Sequence, residues 1–278
     1  MSAPAADFRV GSANAERGGL VSHVARLWDG AAAMAWAELR KLRHDHLDIV
    51  TRSIQPLLWL FIFGSVLRNN RSLSGGFHDY RAYLAPGVMA QGALFIAIFF
   101  GLAVIWERDV GQLQRLLATP IPRLAIVLGK SAGACIRALM QSVVLLVVLA
   151  IAGIGIHWSV PNVLGALLLL VLGTGGFACL SMILASIVRT RERFMGIGQL
   201  VLMPLFFASS ALYPLSIMPV WLRWIARANP LTYEVNGMRH LLVGITAGGI
   251  LWVDCVVGVV FFLTAALIAA RMYPRAIL

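Results

Sequence analysis

Three consecutive residues, Gly129-Lys130-Ser131, resemble the end of a phosphate-binding loop. Such a loop cradles phosphates with backbone N–H groups and a lysine, and it needs a glycine five positions before Gly129. Leu124 occupies that position, and the tripeptide opens an apolar helix instead of following a buried strand. No other stretch fits a nucleotide site. We therefore expect any ATP hydrolysis that serves this protein to take place in a separate chain.

The histidines, acids and cysteines do not predict a reactive centre. His44, Asp45, His46 and Asp48 are close in sequence, but residues two apart on a helix point in different directions, which favours a polar run at an interface over a metal site. No serine–histidine–aspartate set and no carboxylate pair stands out. We predict no catalytic, cofactor-binding or metal-binding residue. The cysteines lie far apart in apolar stretches and are expected in the core: Cys135, Cys179 and Cys255.

A charged stretch, Glu107–Pro122, lies between two long apolar segments. Read as one helix over 107–119, it carries a polar stripe and an apolar stripe, and the prolines end it because proline lacks an N–H. An amphipathic helix held between two spans is well placed to receive motion from a soluble partner, and an ordinary solvated loop is the alternative. The candidate coupling residues are Glu107, Arg108, Asp109, Gly111, Gln112, Leu113, Arg115, Leu116 and Pro120.

The composition is that of a membrane protein. Of the 278 residues, 60% are hydrophobic and 13% are charged, whereas soluble domains carry roughly 25% charged residues. The formal net charge of +11 comes from basic residues beside apolar segments. That placement favours topology signals and contact with anionic lipid over nucleic-acid binding. We expect the lipid bilayer, and no nucleic acid, as a partner, and we see no cleavable signal peptide.

Six apolar stretches have about the 20 residues needed to cross a bilayer. The third is longer than one span and carries two basic residues in its first half, and the glycine cluster Gly173–Gly176 is expected to interrupt the fourth. We predict an all-α membrane protein with six transmembrane helices in one domain, residues 26–278. The predicted spans are about 49–67, 84–106, 126–156, 163–188, 194–213 and 251–270.

The residues before the first span divide into a flexible tail, 1–25, and an amphipathic helix near 28–43. Trp28 and Trp36 beside arginines and lysines favour a helix in the membrane interface over a soluble helix. Basic residues are more numerous on one side of the six spans than on the other. Because this bias sets orientation, we predict a cell inner membrane protein with both termini and the 107–122 stretch in the cytoplasm.

The segment between the fifth and sixth predicted spans, 214–249, is longer than a plain turn. A proline at 219 can begin a helix, and a second proline at 230 closes it. The tryptophans of this helix favour contact with the membrane interface. We predict a re-entrant helical hairpin in the outer leaflet, with a surface loop as the alternative. Its candidate residues are Pro219, Trp221, Trp224, Asn229, Pro230 and Tyr233.

Polar groups inside apolar spans either line a transport route or hydrogen-bond to neighbouring helices, and the second role is the favoured interpretation. At the membrane edge, Glu107 is a candidate ion-pair partner of Lys130 or Arg137, which share a helix face at i and i+7. Anchoring of these charges at lipid headgroups is the alternative. The candidate route residues are Gln55, Gln91, Gln199, Ser209, Ser210 and Tyr213.

These motifs together resemble the ABC-2 type transporter permeases, a family that includes daunorubicin-resistance and nodulation-factor export permeases. The resemblance covers about residues 36–244. The family's coupling element usually reads Glu-Arg-Glu-x-Gly-Thr, and here Asp109 keeps the second acidic charge while Gln112 replaces the threonine. The most specific sequences are Glu107-Arg-Asp-x-Gly-Gln-Leu, Arg189-Thr-Arg-Glu-Arg193, Ala211-Leu-Tyr-Pro-Leu215, and Met218-Pro through Asn229-Pro-Leu-Thr-Tyr233.

The resemblance implies two permease subunits, expected to form a homodimer, and two separate ATPase subunits that bind ATP and Mg. Few charges in the spans favour a hydrophobic or amphipathic cargo, such as a drug or a lipid-like molecule, and the resemblance implies its outward transport, as in multidrug resistance or lipid transport. Export of a polysaccharide or lipo-oligosaccharide is the alternative within the family. A membrane-embedded enzyme and a passive channel are alternatives of another class, and co-purification of a soluble ATPase would separate the transporter from both.

Overall fold

The computed structural model describes residues 29–36, 38, 40, 46–67, 79–112, 121–188, 190–244 and 250–273. Every regular element in these ranges is helical, and no strand occurs in them. The predicted all-α class is therefore confirmed.

An N-terminal helical segment includes residues 29–36, 38 and 40. The remaining helices of the described ranges are α1 (His46–Leu58, continued by a π-helical turn, Trp59–Phe63, and by Gly64–Val66), α2 (Tyr80–Asp109), α3 (Arg123–Ile151), α4 (Val160–Ile187), α5 (Arg191–Phe207), α6 (Val220–Ala228), α7 (Pro230–Val243) and α8 (Leu251–Met272).

Four of these helices, α2, α3, α4 and α8, are long and apolar enough to cross a membrane. The longest, α2, has 30 residues, and at about 1.5 Å per residue it measures about 45 Å. A bilayer core is about 30 Å thick. The chain is thus a multi-pass membrane protein.

Helix α4 lies at the centre of the bundle, where it packs against α2, α3, α7 and α8. It runs without a break through the glycine cluster, so the prediction that Gly173–Gly176 interrupts this span is wrong. The glycines instead admit neighbouring side chains. Gly173 lies against the carboxylate of Glu234, and a Cβ at Gly175 would lie 2.7 Å from the Phe262 ring. Small residues permit such close helix packing in membranes.

The N-terminal helical segment packs on the first half of α3. Gly129 lies against Met34, and a Cβ at Gly133 would lie 2.9 Å from Glu38 Cγ. The other side of the segment is open, with Trp36 62% exposed. The segment therefore has one side on protein and one side carrying an exposed tryptophan.

Two predicted span ends are wrong. Helix α3 ends at Ile151 rather than near 156, and Gly153 follows with a φ of 63°. Helix α5 ends at Phe207 rather than near 213, because residues 208–213 form bends between α5 and the hairpin. In both places the apolar pattern continues past the helix because the following segment is itself buried, as at Ile154 and Ala211.

Helices α2 and α4 approach closely at Gly101, whose N–H donates to Ser181 Oγ at 2.9 Å. A Cβ at this position would lie 2.7 Å from the Ser181 carbonyl oxygen. We expect Gly101→Ala to lower the free energy of unfolding by about 1–3 kcal/mol, because the helices must separate. Thermal unfolding of the purified protein in detergent measures the effect.

The matched control is Gly196→Ala on α5, since no atom lies within 4 Å of a Cβ built there. Alanine also favours the helix over glycine by about 1 kcal/mol. Equal melting temperatures for the two variants would contradict the close approach of α2 and α4.

Candidate functional site

The candidate coupling site begins in the last turn of α2, which contains Glu107, Arg108 and Asp109. Val110 then leaves the helical conformation, and Gly111 has a φ of 74°. Glycine adopts this left-handed conformation without the steric cost that a Cβ brings. Helix resumes at Gln112. The prediction of one unbroken helix over 107–119 is therefore wrong, since the pattern of apolar residues continues across a break in the backbone.

The rest of the predicted coupling segment lies outside the described residues. This applies to the candidates Leu113, Arg115, Leu116 and Pro120. The site that the structure describes therefore consists of the α2 end and the side chains around it.

Glu107 forms an ion pair with Lys130 on α3. The lysine is almost fully buried, and the carboxylate is largely shielded from solvent. The sequence left Lys130 and Arg137 as alternative partners, and the structure brings Glu107 together with Lys130. A buried charge of this kind needs its partner, because an unpaired charge in a low-dielectric environment is costly.

Arg137 instead reaches the N-terminal helical segment, where its Nη2 lies 3.2 Å from Glu38 Oε2. Its guanidinium also lies 5.5 Å from the centre of the Phe100 ring on α2. The two basic residues of α3 therefore bind different elements: Lys130 holds the end of α2, and Arg137 holds the N-terminal segment.

Asp109 connects the end of α2 to the start of α5. Its Oδ2 accepts from Arg191, with Nη2 at 2.9 Å and Nε at 3.0 Å. The Arg191 guanidinium lies 4.1 Å from the centre of the Trp106 ring, and Arg108 donates to the Val188 carbonyl at 3.4 Å. These groups are partly exposed, so each contact contributes little alone. Together they attach the end of α2 to α4 and α5.

The residues predicted for the hairpin lie in α6, α7 and the junction between them. Pro219 precedes α6, and Trp221 and Trp224 on α6 are each 66% exposed. Asn229 caps α7 by accepting from Leu231 N–H at 3.0 Å. Its Nδ2 also donates to two carbonyls of the α5 end, at 2.6 and 2.8 Å.

Pro230 and Tyr233 complete the junction. Pro230 is the first residue of α7, where its missing N–H has no intrahelical partner to lose. The Tyr233 hydroxyl donates to the Arg227 carbonyl of α6 at 2.8 Å. The two short helices are thereby tied to each other and to α5.

Sequence reasoning missed the role of Arg239 on α7. The structure buries this residue completely. Its guanidinium donates to the carbonyls of Tyr83 at 3.2 Å and Ser210 at 2.9 Å, and it lies 3.8 Å from the centre of the Tyr83 ring. An arginine within the apolar pattern of α7 was the available signal. It joins α7 to α2 and to the segment after α5.

The candidate route residues occupy different environments. Gln55 and Gln91 line one cavity between α1, α2 and α3, and Gln199 is exposed on α5. Ser209 and Ser210 are buried and donate to the Phe206 and Thr232 carbonyls, and the Tyr213 hydroxyl donates to the Phe207 carbonyl. Of the six candidates, the structure therefore brings Gln55 and Gln91 together at one cavity.

The sequence model of the ABC-2 type transporter family matches residues 31–243 of this chain. This range includes the end of α2 with its ion pairs and the α6–α7 hairpin. The chain belongs to the ABC-2 type transporter family.

Individual members of the family resemble it over most of its length. The transport permease ycf38 of Porphyra purpurea is 31% identical over 68% of this chain and 65% of its own length, so this match spans slightly less than two thirds of that protein. The daunorubicin resistance ABC transporter permease DrrB1 of Streptomyces coeruleorubidus is 24% identical over 84% of this chain and 80% of its own. Nodulation protein J of Rhizobium leguminosarum bv. trifolii is 29% identical over 78% and 84%.

The charged turn of this ABC-2 protein is joined to its neighbours by ion pairs and hydrogen bonds. Within the described residues, no three histidine, cysteine or acidic side chains are close enough to hold a metal ion. The end of α2 is bonded to α3, α4 and α5 instead. These contacts hold the last turn of α2 against three neighbouring helices.

We expect Lys130→Met to lower the free energy of unfolding by about 3–5 kcal/mol, because it leaves the Glu107 carboxylate shielded and without this partner. Glu107→Gln combined with Lys130→Met should restore most of the loss. Thermal unfolding in detergent measures both variants. Arg191→Met, which removes a partly exposed pair, is the control and should cost no more than about 1 kcal/mol. Equal losses for Lys130→Met and Arg191→Met would show that burial adds nothing to the first pair.

Proposed function

We propose that this chain is the membrane permease subunit of an ATP-driven exporter, in which two copies of the chain work with two copies of a separate ATPase. The observation that carries the proposal is the end of α2, where a charged turn in a family member is bonded to three other helices. ATP and Mg belong to the ATPase partner. Closure of the ATPases would push on this turn and rotate the attached helices as a unit.

Six spans result if α1 and α5 also cross the bilayer. With its π-helical turn, α1 extends from His46 to Val66, and α5 has 17 residues. Both carry exposed apolar side chains, including Leu58 on α1 and Leu200 on α5. An even number of spans places both termini on one side, and the excess of basic residues there assigns that side to the cytoplasm of the cell inner membrane.

The exposed faces of α1 and α5 support a second copy of the chain as partner. Gln55 on α1 and Gln199 on α5 are exposed beside exposed apolar side chains such as Leu58 and Leu200. A carboxamide facing hydrocarbon is costly, so such groups normally face protein or a water-filled route. One or the other is provided if the exposed faces of α1 and α5 contact a second permease subunit in a homodimer. The same holds if these faces enclose a transport route together with that subunit.

A hydrophobic or amphipathic cargo, such as a drug or a lipid-like molecule, suits a bundle whose spans carry few charges. The name of the Streptomyces relative refers to daunorubicin resistance, which agrees with such a cargo. A polysaccharide or lipo-oligosaccharide is the second candidate, and the nodulation protein supports it through its name.

Affinity purification of the chain from its native membrane tests the proposal directly. We expect a soluble chain with a phosphate-binding loop to co-purify with it, in equal copy number, and cargo-dependent ATP hydrolysis to require both. A preparation that transports without any ATPase, or a chain that purifies only with itself, would favour a passive channel or a membrane enzyme instead.

A second experiment concerns the coupling turn, which is the last turn of α2 with Glu107, Arg108 and Asp109. We expect Asp109→Asn to lower cargo-stimulated ATP hydrolysis about fivefold or more, the effect of losing roughly 1 kcal/mol of coupling between two sites. The substitution removes the acidic partner of Arg191 but leaves a partly exposed residue that should fold normally. ATPase activity of the assembled complex, with and without cargo, is the measurement.

Arg271→Ala is the control for this experiment, since Arg271 is an exposed residue in the last turn of α8. Its stimulation should equal that of the unmodified protein. If Asp109→Asn keeps full stimulation, the contact between α2 and α5 does not carry the coupling.

A further inference from the structure

A cavity of about 90 Å³ lies between α1, α2 and α3, about the volume of three molecules of liquid water. It combines carboxamides with aromatic rings at a place where three membrane helices meet. None of the ion pairs of the coupling turn reaches it. The residues that matter here are Arg52, Gln55, Gln91, Phe95, Phe99 and Gln141.

Pro56 in α1 determines how the Gln141 carboxamide is oriented. A proline within a helix has no N–H for the carbonyl four residues earlier, which here belongs to Arg52. Gln141 Nε2 donates to that carbonyl at 3.3 Å. The NH₂ end of the amide therefore faces α1, and its oxygen is left to accept from another group.

Two carboxamide oxygens at the cavity receive no hydrogen bond from the part of the chain that the structure describes. Gln91 and Gln141 are only 4% and 3% exposed, and Oε1 of each is buried without a donor among those residues. Both lie about 27 Å from the ends of their helices near the coupling turn, at Asp109 and Arg123, so they are at the same height. A buried acceptor without a donor costs about 1–3 kcal/mol, so the cavity is suited to a group that donates.

The surroundings restrict the charge and size of that group. Among the described residues, the lining includes an arginine and no acidic side chain, which disfavours a cation. A carboxylate or a sulfate has no proton to give to the two oxygens. The rings of Phe95 and Phe99 offer apolar faces beside the amides. A neutral hydroxyl-bearing group meets these conditions, and the volume admits one edge of a hydroxylated ring rather than a whole cargo molecule.

We propose that this cavity is a subsite that binds a neutral, hydroxyl-bearing group of the cargo through hydrogen bonds to Gln91 and Gln141. The inference rests on the proposed transport function and specifies its substrate class. Gln55, which is exposed on α1 and also lines the cavity, lies at its outer edge. The cargo is thus an amphiphile whose hydroxylated part enters between the helices while its apolar part remains on the α1 face.

Binding of single-chain probes to the full chain in lipid nanodiscs tests the subsite. Radiolabelled n-octyl-β-D-glucoside should show saturable binding above that of protein-free nanodiscs, and octyltrimethylammonium, with the same chain length, should not. Gln91→Met keeps the side-chain volume and removes the acceptor, so it should weaken glucoside binding about fivefold, the effect of one net hydrogen bond. Octane-1,2-diol distinguishes two sources of hydroxyls: binding equal to the glucoside assigns a diol, and weaker binding assigns a sugar.

Thr264→Val, which removes an exposed hydroxyl on α8, is the control and should bind the glucoside normally. Gly92→Ala is an independent variant, because its Cβ would displace the Gln141 amide and lie 3.2 Å from Pro56 Cγ. It should weaken binding even if Gln91→Met does not fold. No saturable binding, equal binding by Gln91→Met, or equal binding of the ammonium probe would overturn the proposal and leave the cavity to water.

Co-purification of the ATPase is measured on the same variants. It separates a failure of the proposed transport function from a failure of the proposed subsite. Gln91→Met should retain the ATPase partner while it loses the glucoside. If the unmodified chain has no ATPase partner, the transport function is wrong, and the probe measurements then decide the subsite by themselves.

Discussion

A helix in hydrocarbon has no water to satisfy its backbone, so each carbonyl that loses its helical partner must find a donor inside the protein. This chain places prolines within α1, α2 and α5. Gln141 donates to the carbonyl freed by Pro56, and Asn229 donates to the carbonyls at the end of α5. In both places a side chain from one helix completes the backbone of another.

The same requirement explains the buried arginine of α7. Arg239 donates to carbonyls of α2 and of the segment after α5. Tyr80 adds a hydrogen bond from its hydroxyl to the Leu212 carbonyl at 2.7 Å. A glycine at position 87 lets α2 approach the Ala211 backbone. The irregular segment after α5 is thus supported on several sides, which is the condition under which irregular backbone is tolerated at membrane depth.

At the opposite end of the bundle, near the last turn of α2, ion pairs join the helices instead. The pair of Glu107 with Lys130 is shielded, whereas the pair of Asp109 with Arg191 is more exposed. The first therefore depends on burial and the second is open to screening by salt. Together the two ion pairs connect the end of α2 to α3 and to α5. In the proposed transporter, a push at the cytoplasmic face and a cargo group between α1, α2 and α3 act on the same helix, α2.

The sequence by itself determined the elements that depend on local pattern. Long apolar runs indicated the membrane helices, Pro219 and Asn229-Pro230 marked the beginnings of α6 and α7, and the motif beginning at Glu107 indicated the family. Apolar runs alone did not reveal where α3 and α5 end, because the buried segments that follow these helices are equally apolar.

Only the tertiary structure decided which partner each polar residue has. Local pattern allowed Glu107 to pair with either basic residue of α3, and the packing of the N-terminal segment directs Arg137 to Glu38 instead. Local pattern also could not connect Gln141 with the Arg52 carbonyl, for which Pro56 has no N–H to offer. Nor could it show that Gly173–Gly176 makes room for other helices. These contacts join residues far apart in the chain, and spacing within one helix carries no information about which face of another helix it will meet.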